Sequence, residues 1–188
     1  MPALKGTKTE VNILTAFAGE SQARNRYAFA ASIAAKEGYM KVAAIFTETA
    51  EQEKEHAKRL FRFLEGGEAT ITAAFPAGLK ADVVTQLTAA AGGENHEWTS
   101  MYPQFAKVAR EEGFEEIAGV MEAIAVAEKY HEKRFNDLLE EIKAGTHFKK
   151  PAKVVWRCRN CGFIHEGTEP PDHCPACAHP KAYFEYLS

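Results

Sequence analysis

The sequence predicts an all-α four-helix bundle with one crossover connection, followed by a small β and loop domain closed around a metal ion. Three observations carry this. Four amphipathic stripes of helical period run to about residue 145, interrupted at glycine-marked breaks. The two halves of that stretch repeat each other at an offset of 75 residues. All four cysteines fall between positions 158 and 177, after 157 residues without one.

Thr7-Lys8-Thr9-Glu10 fits a capping box and starts the first helix. Ile13, Phe17, Glu20, Tyr27 and Ala34 then recur at helical spacing. Gly38 breaks the chain. Val42, Ile45, Thr49, Glu53, His56, Leu60 and Phe63 form a second stripe, stopped by Gly66-Gly67. Residues 68–80, with Pro76 and Gly78, are a long connection. Leu87, Ala90, Glu94, Trp98, Met101, Phe105 and Val108 make the third stripe. After Gly113, Ile117, Val120, Ile124, Glu128, His131, Phe135 and Leu138 make the fourth. Two tight pairs joined by one long link give the single crossover. Beyond residue 150, five of the eight prolines mix with Cys, Gly and His. The expected division is a bundle over 1–147 and a metal-binding domain over 148–188.

The pairs match in detail. Glu37-Gly38-Tyr39 corresponds to Glu112-Gly113-Phe114, and Glu53-Lys54-Glu55-His56 to Glu128-Lys129-Tyr130-His131, each 75 residues on. Glu20 and Glu94 are only 74 apart, so the third helix holds one extra residue after Glu94. Tyr27 lies seven past Glu20 and Tyr102 eight past Glu94, followed by Pro103. A π-bulge or a proline kink is expected near residues 98–103.

Composition excludes several classes. The net charge of −3 over 188 residues, with 26% charged and 46% hydrophobic residues, argues against a broadly basic nucleic-acid binder and against disorder. No apolar run approaches the roughly 20 residues that cross a bilayer, and the first six residues lack a secretory core. A cytoplasmic protein with no nucleic-acid or membrane partner is expected.

Acid on the buried faces is the informative anomaly. Glu20, Glu53, Glu94 and Glu128 each lie on an apolar stripe, where an unpaired carboxylate is costly. Glu53 with His56, and Glu128 with His131, are Glu-x-x-His pairs that share one helix face. One Glu from each of two helices plus Glu-x-x-His from each of the others is the di-iron carboxylate pattern. A single Glu-x-x-His is a weak signal; two at one offset, each preceded by a matching Glu, are strong. Glu97 is a further oxygen donor with Ala23 in the equivalent place, so the site is expected to be asymmetric; its alternative is a surface or supporting acid. Five carboxylates against two divalent ions leave the pocket nearly neutral, and oxygen with imidazole suits iron or manganese. Tyr27 and Tyr102 either hydrogen-bond these carboxylates or pack the core. His96 points elsewhere by spacing.

Cys158-Arg159-Asn160-Cys161-Gly162 and Cys174-Pro175-Ala176-Cys177 are paired Cys-x-x-Cys knuckles, the pattern of a closed tetrathiolate site. A domain of about 35 residues needs such an ion to fold. Spacing leaves zinc and iron open, and makes His165, His173 and His179 surplus.

Taken together these residues resemble the rubrerythrin family over nearly the whole chain. Thr15-Ala16-Phe17-Ala18-Gly19-Glu20-Ser21-Gln22-Ala23-Arg24-Asn25-Arg26-Tyr27 is similar to its first-helix signature. Residues 158–177, running on through Ala178-His179-Pro180, resemble its rubredoxin-like domain. The resemblance implies a ferritin-like di-iron bundle and iron, with zinc as a substitute, at Cys158, Cys161, Cys174 and Cys177. It implies a non-haem peroxidase that reduces hydrogen peroxide to water, with electrons drawn from NAD(P)H through a rubredoxin or reductase partner. Glu53 and Glu128 would bridge, Glu20 and Glu97 bind one iron, and Glu94 and His131 the other. His56 would replace Glu97 on reduction, so Glu97 and His56, supported by Tyr27 and Tyr102, form the implied catalytic set. Family members are homodimers or larger, and one subunit's rubredoxin-like module can serve its partner's di-iron site. None of the eleven implied ligands departs from the pattern. The competing readings are a ferritin-like iron-oxidation and storage protein, which has no need of an electron-delivery domain, and a zinc ribbon on a helical interaction module.

Overall fold

A computed structural model describes residues 3–78 and 82–187. The bundle comprises α1 (Lys8–Lys36), α2 (Met40–Phe61), α3 (Val83–His96), α4 (Tyr102–Glu111) and α5 (Glu115–Lys143). A π-helical turn, Glu97–Met101, joins α3 to α4 without a break, so the five helices form four rods. The irregular stretch after Phe61 carries the chain between the two pairs, as expected of the crossover. Within the described part of that link, Gln22 Nε2 donates to the Pro76 carbonyl at 3.1 Å.

Local chemistry sets the ends. The Thr7 hydroxyl accepts the Glu10 N–H at 3.1 Å, as a capping box requires, while the Glu10 carboxylate accepts the Gly6 N–H rather than that of Thr7. Both tight pairs turn through the same motif. Gly38 and Gly113 sit at φ +85°, and the following residue donates back five positions, Tyr39 to Ala34 at 2.9 Å and Phe114 to Ala109 at 2.8 Å. The internal repeat is therefore structural as well as sequential.

The extra residue of the third rod takes the π form, and the bulge rather than a simple proline kink is what the chain adopts. Its effect is a change of phase. Before it Leu87, Ala90 and Glu94 face inward; after it Tyr102, Ala106 and Ala109 do, leaving Phe105 and Val108 half-buried. On α2 the innermost apolar residues are Val42, Phe46, Ala50, Ala57 and Leu60; Ile45, and Phe63 just past the helix end, are only half-buried.

The bundle interior divides into two apolar clusters. One contains Tyr27, Phe46, Leu87, Phe135 and Leu138; the other Leu4, Ile13, Leu60, Tyr102, Ile117 and Met121. Glu20, Glu53, Glu94, Glu128 and His131 are also buried but belong to neither cluster.

The C-terminal domain is a three-stranded antiparallel sheet in the order β2-β1-β3, built from β1 (Val154–Cys158), β2 (Ile164–Gly167) and β3 (Phe184–Leu187). Its small core is Trp156, Phe184, Cys158 and Cys174, and the Trp156 indole donates to the Gly167 carbonyl at 2.9 Å. Arg157 and Arg159 both clasp the buried Glu185.

A polar latch docks this domain on the bundle. Glu141 on α5 meets His147 Nδ1 at 3.2 Å, Lys150 Nζ at 3.1 Å and Lys41 Nζ of α2 at 3.8 Å. Lys41 and Lys150 stand 4.7 and 4.0 Å from the ring centre of Tyr186 on β3. Burial pushes the Glu141 carboxyl up, but His147, Lys41 and Lys150 outweigh it and hold it down at about 2. A depressed folded pKa stabilises above the unfolded value, near 4.5, and that stability is lost as pH falls through about 2. Denaturant unfolding should therefore show the native chain more stable than Glu141→Gln by about 1–3 kcal/mol near pH 6, with the gap closing between roughly pH 5 and pH 2. A gap independent of pH would sink this account.

Candidate metal centres

Six side chains from four helices meet in the middle of the bundle. Glu20 comes from α1, Glu53 and His56 from α2, Glu94 from α3, and Glu128 and His131 from α5. Glu20, Glu53, His56 and Glu128 bring one donor atom each within 4.8 Å of one another, and so do Glu53, Glu94, Glu128 and His131. Glu53 and Glu128 belong to both groups, as the Glu-x-x-His spacing on facing helices allows. His56 Nδ1 lies 2.8 Å from Glu128 and 3.1 Å from Glu53; His131 Nδ1 lies 2.7 Å from Glu128, 3.1 Å from Glu53 and 3.6 Å from Glu94.

Whether these residues suit a pair of cations can be tested on their lone pairs. Glu20 Oε2, Glu53 Oε1, Glu94 Oε2, both Glu128 oxygens and His131 Nδ1 are buried yet have no hydrogen-bond partner. Close approach without hydrogen-bond alignment is what ligand atoms aimed at common points between them require, and orphaned buried oxygens are otherwise costly. The donor set, carboxylate-rich with two imidazoles, fits iron.

Electrostatics agree. Burial, then the charge of Glu53, pushes Glu20 well above the carboxylate range, and burial pushes Glu94 up to about 8. Glu53 goes the other way: burial opposes it, but His131 and His56 hold it down at about 2. Burial disfavours the charged form of His131, yet the close carboxylates of Glu128, Glu53 and Glu94 lift it to about 12; His56 is raised in the same way. The pocket demands positive charge between its carboxylates and takes protons to supply it.

The tyrosines hydrogen-bond the acids, and they do so across the repeat. Tyr27 Oη donates to Glu94, and Tyr102 Oη to Glu20. Burial, reinforced by those carboxylates, raises both phenols well above their usual range, so each holds its proton as a donor. The π turn makes the second contact possible, since it rotates Tyr102 inward.

Glu97 opens the π turn and stands outside both groups, half-buried; its carboxyl is raised by burial and by Glu94, Glu128 and Glu53. The structure thus gathers four of the five expected glutamates and both histidines. His96 is exposed, as its spacing implies. Gln52 was not legible in the sequence: its Oε1 lies 3.0 Å from His131 Nε2. Nothing periodic marks it, and only its replacement by Ala127 in the second repeat gives a signal.

In the C-terminal domain Cys158, Cys161, Cys174 and Cys177 also lie mutually within 4.8 Å, with Sγ separations of 3.8 Å for Cys158–Cys177 and 3.6 Å for Cys161–Cys174. A tetrahedral thiolate site with metal–sulfur bonds of about 2.3 Å has edges of about 3.8 Å, so the four sulfurs fit one ion. Each knuckle closes the same way: Gly162 N–H bonds the Cys158 carbonyl and Ala178 N–H the Cys174 carbonyl, both at 2.8 Å. The surplus histidines stay outside this group; His179 packs edge-on against Tyr183 at 4.6 Å. Gly162 has φ +80° and Ala178 φ +58°, so the second knuckle places a Cβ where glycine belongs. Ala178→Gly is expected to raise stability by about 0.5–1 kcal/mol in thermal melts of the metal-loaded chain, whereas Gly162→Ala should lower it by a similar amount.

Comparison with known proteins places this architecture. The profile described as Rubrerythrin matches residues 12–139, and that described as "Rubrerythrin, rubredoxin-like domain" matches residues 156–185. The chain is 62% identical to rubrerythrin of Nitratidesulfovibrio vulgaris, spanning 100% of this chain and 98% of that protein. It is 56% identical to rubrerythrin of Porphyromonas gingivalis, spanning 97% and 92%. Among solved structures, fully reduced, all-ferrous nigerythrin superposes with a TM-score of 0.65 at 29% identity, spanning 98% of this chain and 91% of that one. The ferritin-like bundle, the rubredoxin-like domain and these matches together establish that the chain belongs to the rubrerythrin family.

Proposed function

We propose that the chain is a non-haem di-iron peroxidase that reduces hydrogen peroxide to water and protects a cytoplasmic host compartment from oxidative stress. The observation that most supports this is the pair of donor groups, sharing Glu53 and Glu128, whose buried lone pairs have no other partner. The reaction is H2O2 + 2e− + 2H+ → 2H2O; Glu20, Glu53, His56, Glu94, Glu128 and His131 would hold two iron ions, which when bound would supply the two electrons.

Glu53 and Glu128 are assigned as bridging ligands. Glu20 with His56, and Glu94 with His131, complete the two sets. Glu97 is assigned as the carboxylate that exchanges with His56. Tyr27 and Tyr102 orient Glu94 and Glu20 and keep hydroxyl protons inside the pocket. His56, with 17% of its side chain exposed against 4% for His131, is the outermost of the two imidazoles, so peroxide is assigned an approach from its side.

Residues 148–188 are assigned the electron relay and residues 1–147 the reaction. Cys158, Cys161, Cys174 and Cys177 would hold one iron ion, saturate its tetrahedral coordination and leave no position for substrate, so the ion would serve single-electron transfer. Zinc there would be an inactive substitute. An electron-donor protein, a rubredoxin or a reductase drawing on NAD(P)H, completes the chain. Lys41, which touches Tyr186 of the cysteine domain, lies twelve residues along α2 from Glu53, or about 18 Å of helix axis. The two centres of one chain are held well apart. A homodimer or larger assembly, in which one chain's cysteine domain serves the bundle of another, shortens the path.

Peroxide consumption by the iron-loaded chain with a reductase system tests the reading. Glu97→Ala should lose about 10–100-fold in rate while keeping most of its iron. Undiminished turnover in that variant would remove Glu97 from the reaction. Uptake of many irons per chain without peroxide reduction would favour the storage reading instead. The loaded native chain should be red from its ferric tetrathiolate; Cys158→Ser should abolish the colour and reductase-driven turnover while the bundle retains its iron. Turnover at the native rate in the colourless variant would dismiss the relay.

A further inference from the structure

The two halves of the bundle repeat each other, yet the surroundings of their two histidines differ. His131 Nε2 meets Gln52 Oε1 at 3.0 Å. The other end of the same amide, Nε2 of Gln52, donates to Glu48 Oε1 at 3.3 Å. That carboxylate oxygen also receives Arg134 Nη1 at 3.0 Å. Arg134 is one helical turn beyond His131 on α5, and only 13% of its side chain is exposed, so the run begins and ends on the same helix.

Chemistry fixes the direction of each link. A carboxylate accepts only, so the amide nitrogen of Gln52 must face Glu48 and its oxygen must face His131. That oxygen can accept only from an N–H, so His131 carries a proton on Nε2. In the neutral ring that a metal ligand must be, Nδ1, which faces Glu53, Glu94 and Glu128, is thereby the lone-pair atom.

The repeat shows that this is not inherited symmetry. At an offset of 75, Gln52 corresponds to Ala127 and Glu48 to Ala123. Arg59, the counterpart of Arg134, pairs with Glu116 instead, at 2.8 Å. His56 Nδ1 also faces three carboxylates, but its Nε2 has no protein partner among the described residues.

We infer that Arg134, Glu48 and Gln52 form a positioning chain that locks the tautomer and ring orientation of His131, and that its absence behind His56 leaves that ring free to turn. The inference rests on the reading that the bundle holds two metal ions, and it assigns the two histidines unequal duties.

Cobalt(II) titrated into the full chain separates these claims, because calorimetry reads affinity and proton NMR reads the hyperfine-shifted imidazole N–H signals without any turnover. The native chain should show one slowly exchanging N–H, from His131, and one that exchanges rapidly with water. Gln52→Leu should lose the slow signal and weaken one of the two bundle sites about 10–100-fold. Ala127→Gln should give His56 a slowly exchanging N–H of its own. Unchanged affinity and a persistent slow signal in Gln52→Leu would overturn the positioning chain while leaving the two-metal reading intact. A native bundle that bound no cobalt would overturn both.

Discussion

Four carboxylates stand in a space walled by apolar side chains, and the rest of the bundle depends on what neutralises them. Moving a carboxylate from water to such an interior costs several kcal/mol even after relaxation. Glu20, Glu53, Glu94 and Glu128 are each at most 1% exposed. Among the described residues no lysine or arginine pairs with them; their close cationic contacts are His56 and His131. Two imidazolium charges cannot balance four carboxylates, so protons crowd onto Glu20 and Glu94 while Glu53 stays ionised between the rings. Two divalent ions would settle the account in a single step, and metal binding is then coupled directly to the stability of the bundle.

The repeat explains how a chain arrives at such a centre, and the departures from it explain the site's polarity. Equivalent glutamates and Glu-x-x-His pairs on two helix hairpins build matching halves. Against that background the asymmetric features are few: Glu97 where the first half has Ala23, one inserted residue taken up as a π turn, and Gln52 and Glu48 where the second half has alanines. The π turn does two things at once. It turns Tyr102 onto Glu20 of the opposite half, and it starts at Glu97, leaving that carboxylate beside the donor groups rather than within them.

Much of this was legible beforehand because helical period and metal-ligand spacing are local properties. The four rods, the turns at Gly38 and Gly113, the inserted residue near Trp98, both Glu-x-x-His pairs and the cysteine knuckles all follow from distances along the chain. What escaped depends on how rods face one another. Phe46 and Ala106 displaced Ile45 and Phe105 from the innermost positions because a stripe on a wheel gives a face to within one residue, and the π turn moves that face part-way along a rod. The crossing of Tyr27 to Glu94 and Tyr102 to Glu20 requires knowing which hairpins oppose. The latch of Glu141, His147, Lys150, Lys41 and Tyr186 joins residues that are ordinary surface types taken singly.

The two centres differ in the property that separates a relay from a reaction site. Four cysteine sulfurs at tetrahedral separations fill the coordination of one ion, and the knuckles that hold them are rigid turns closed by backbone hydrogen bonds. Such a centre can change charge with little change of shape. The carboxylate centre gathers four side chains around each of two points, Glu53 and Glu128 counting in both, fewer than the six donors an octahedral ion accepts. Its more exposed imidazole, His56, has no protein partner on Nε2 among the described residues, and Glu97 stands outside both donor groups. The run from Gln52 through Glu48 to Arg134 stands behind His131 alone, so the difference between Gln52 and Ala127 makes the two imidazoles unequal in support, as Glu97 and the π turn make the two halves unequal in shape.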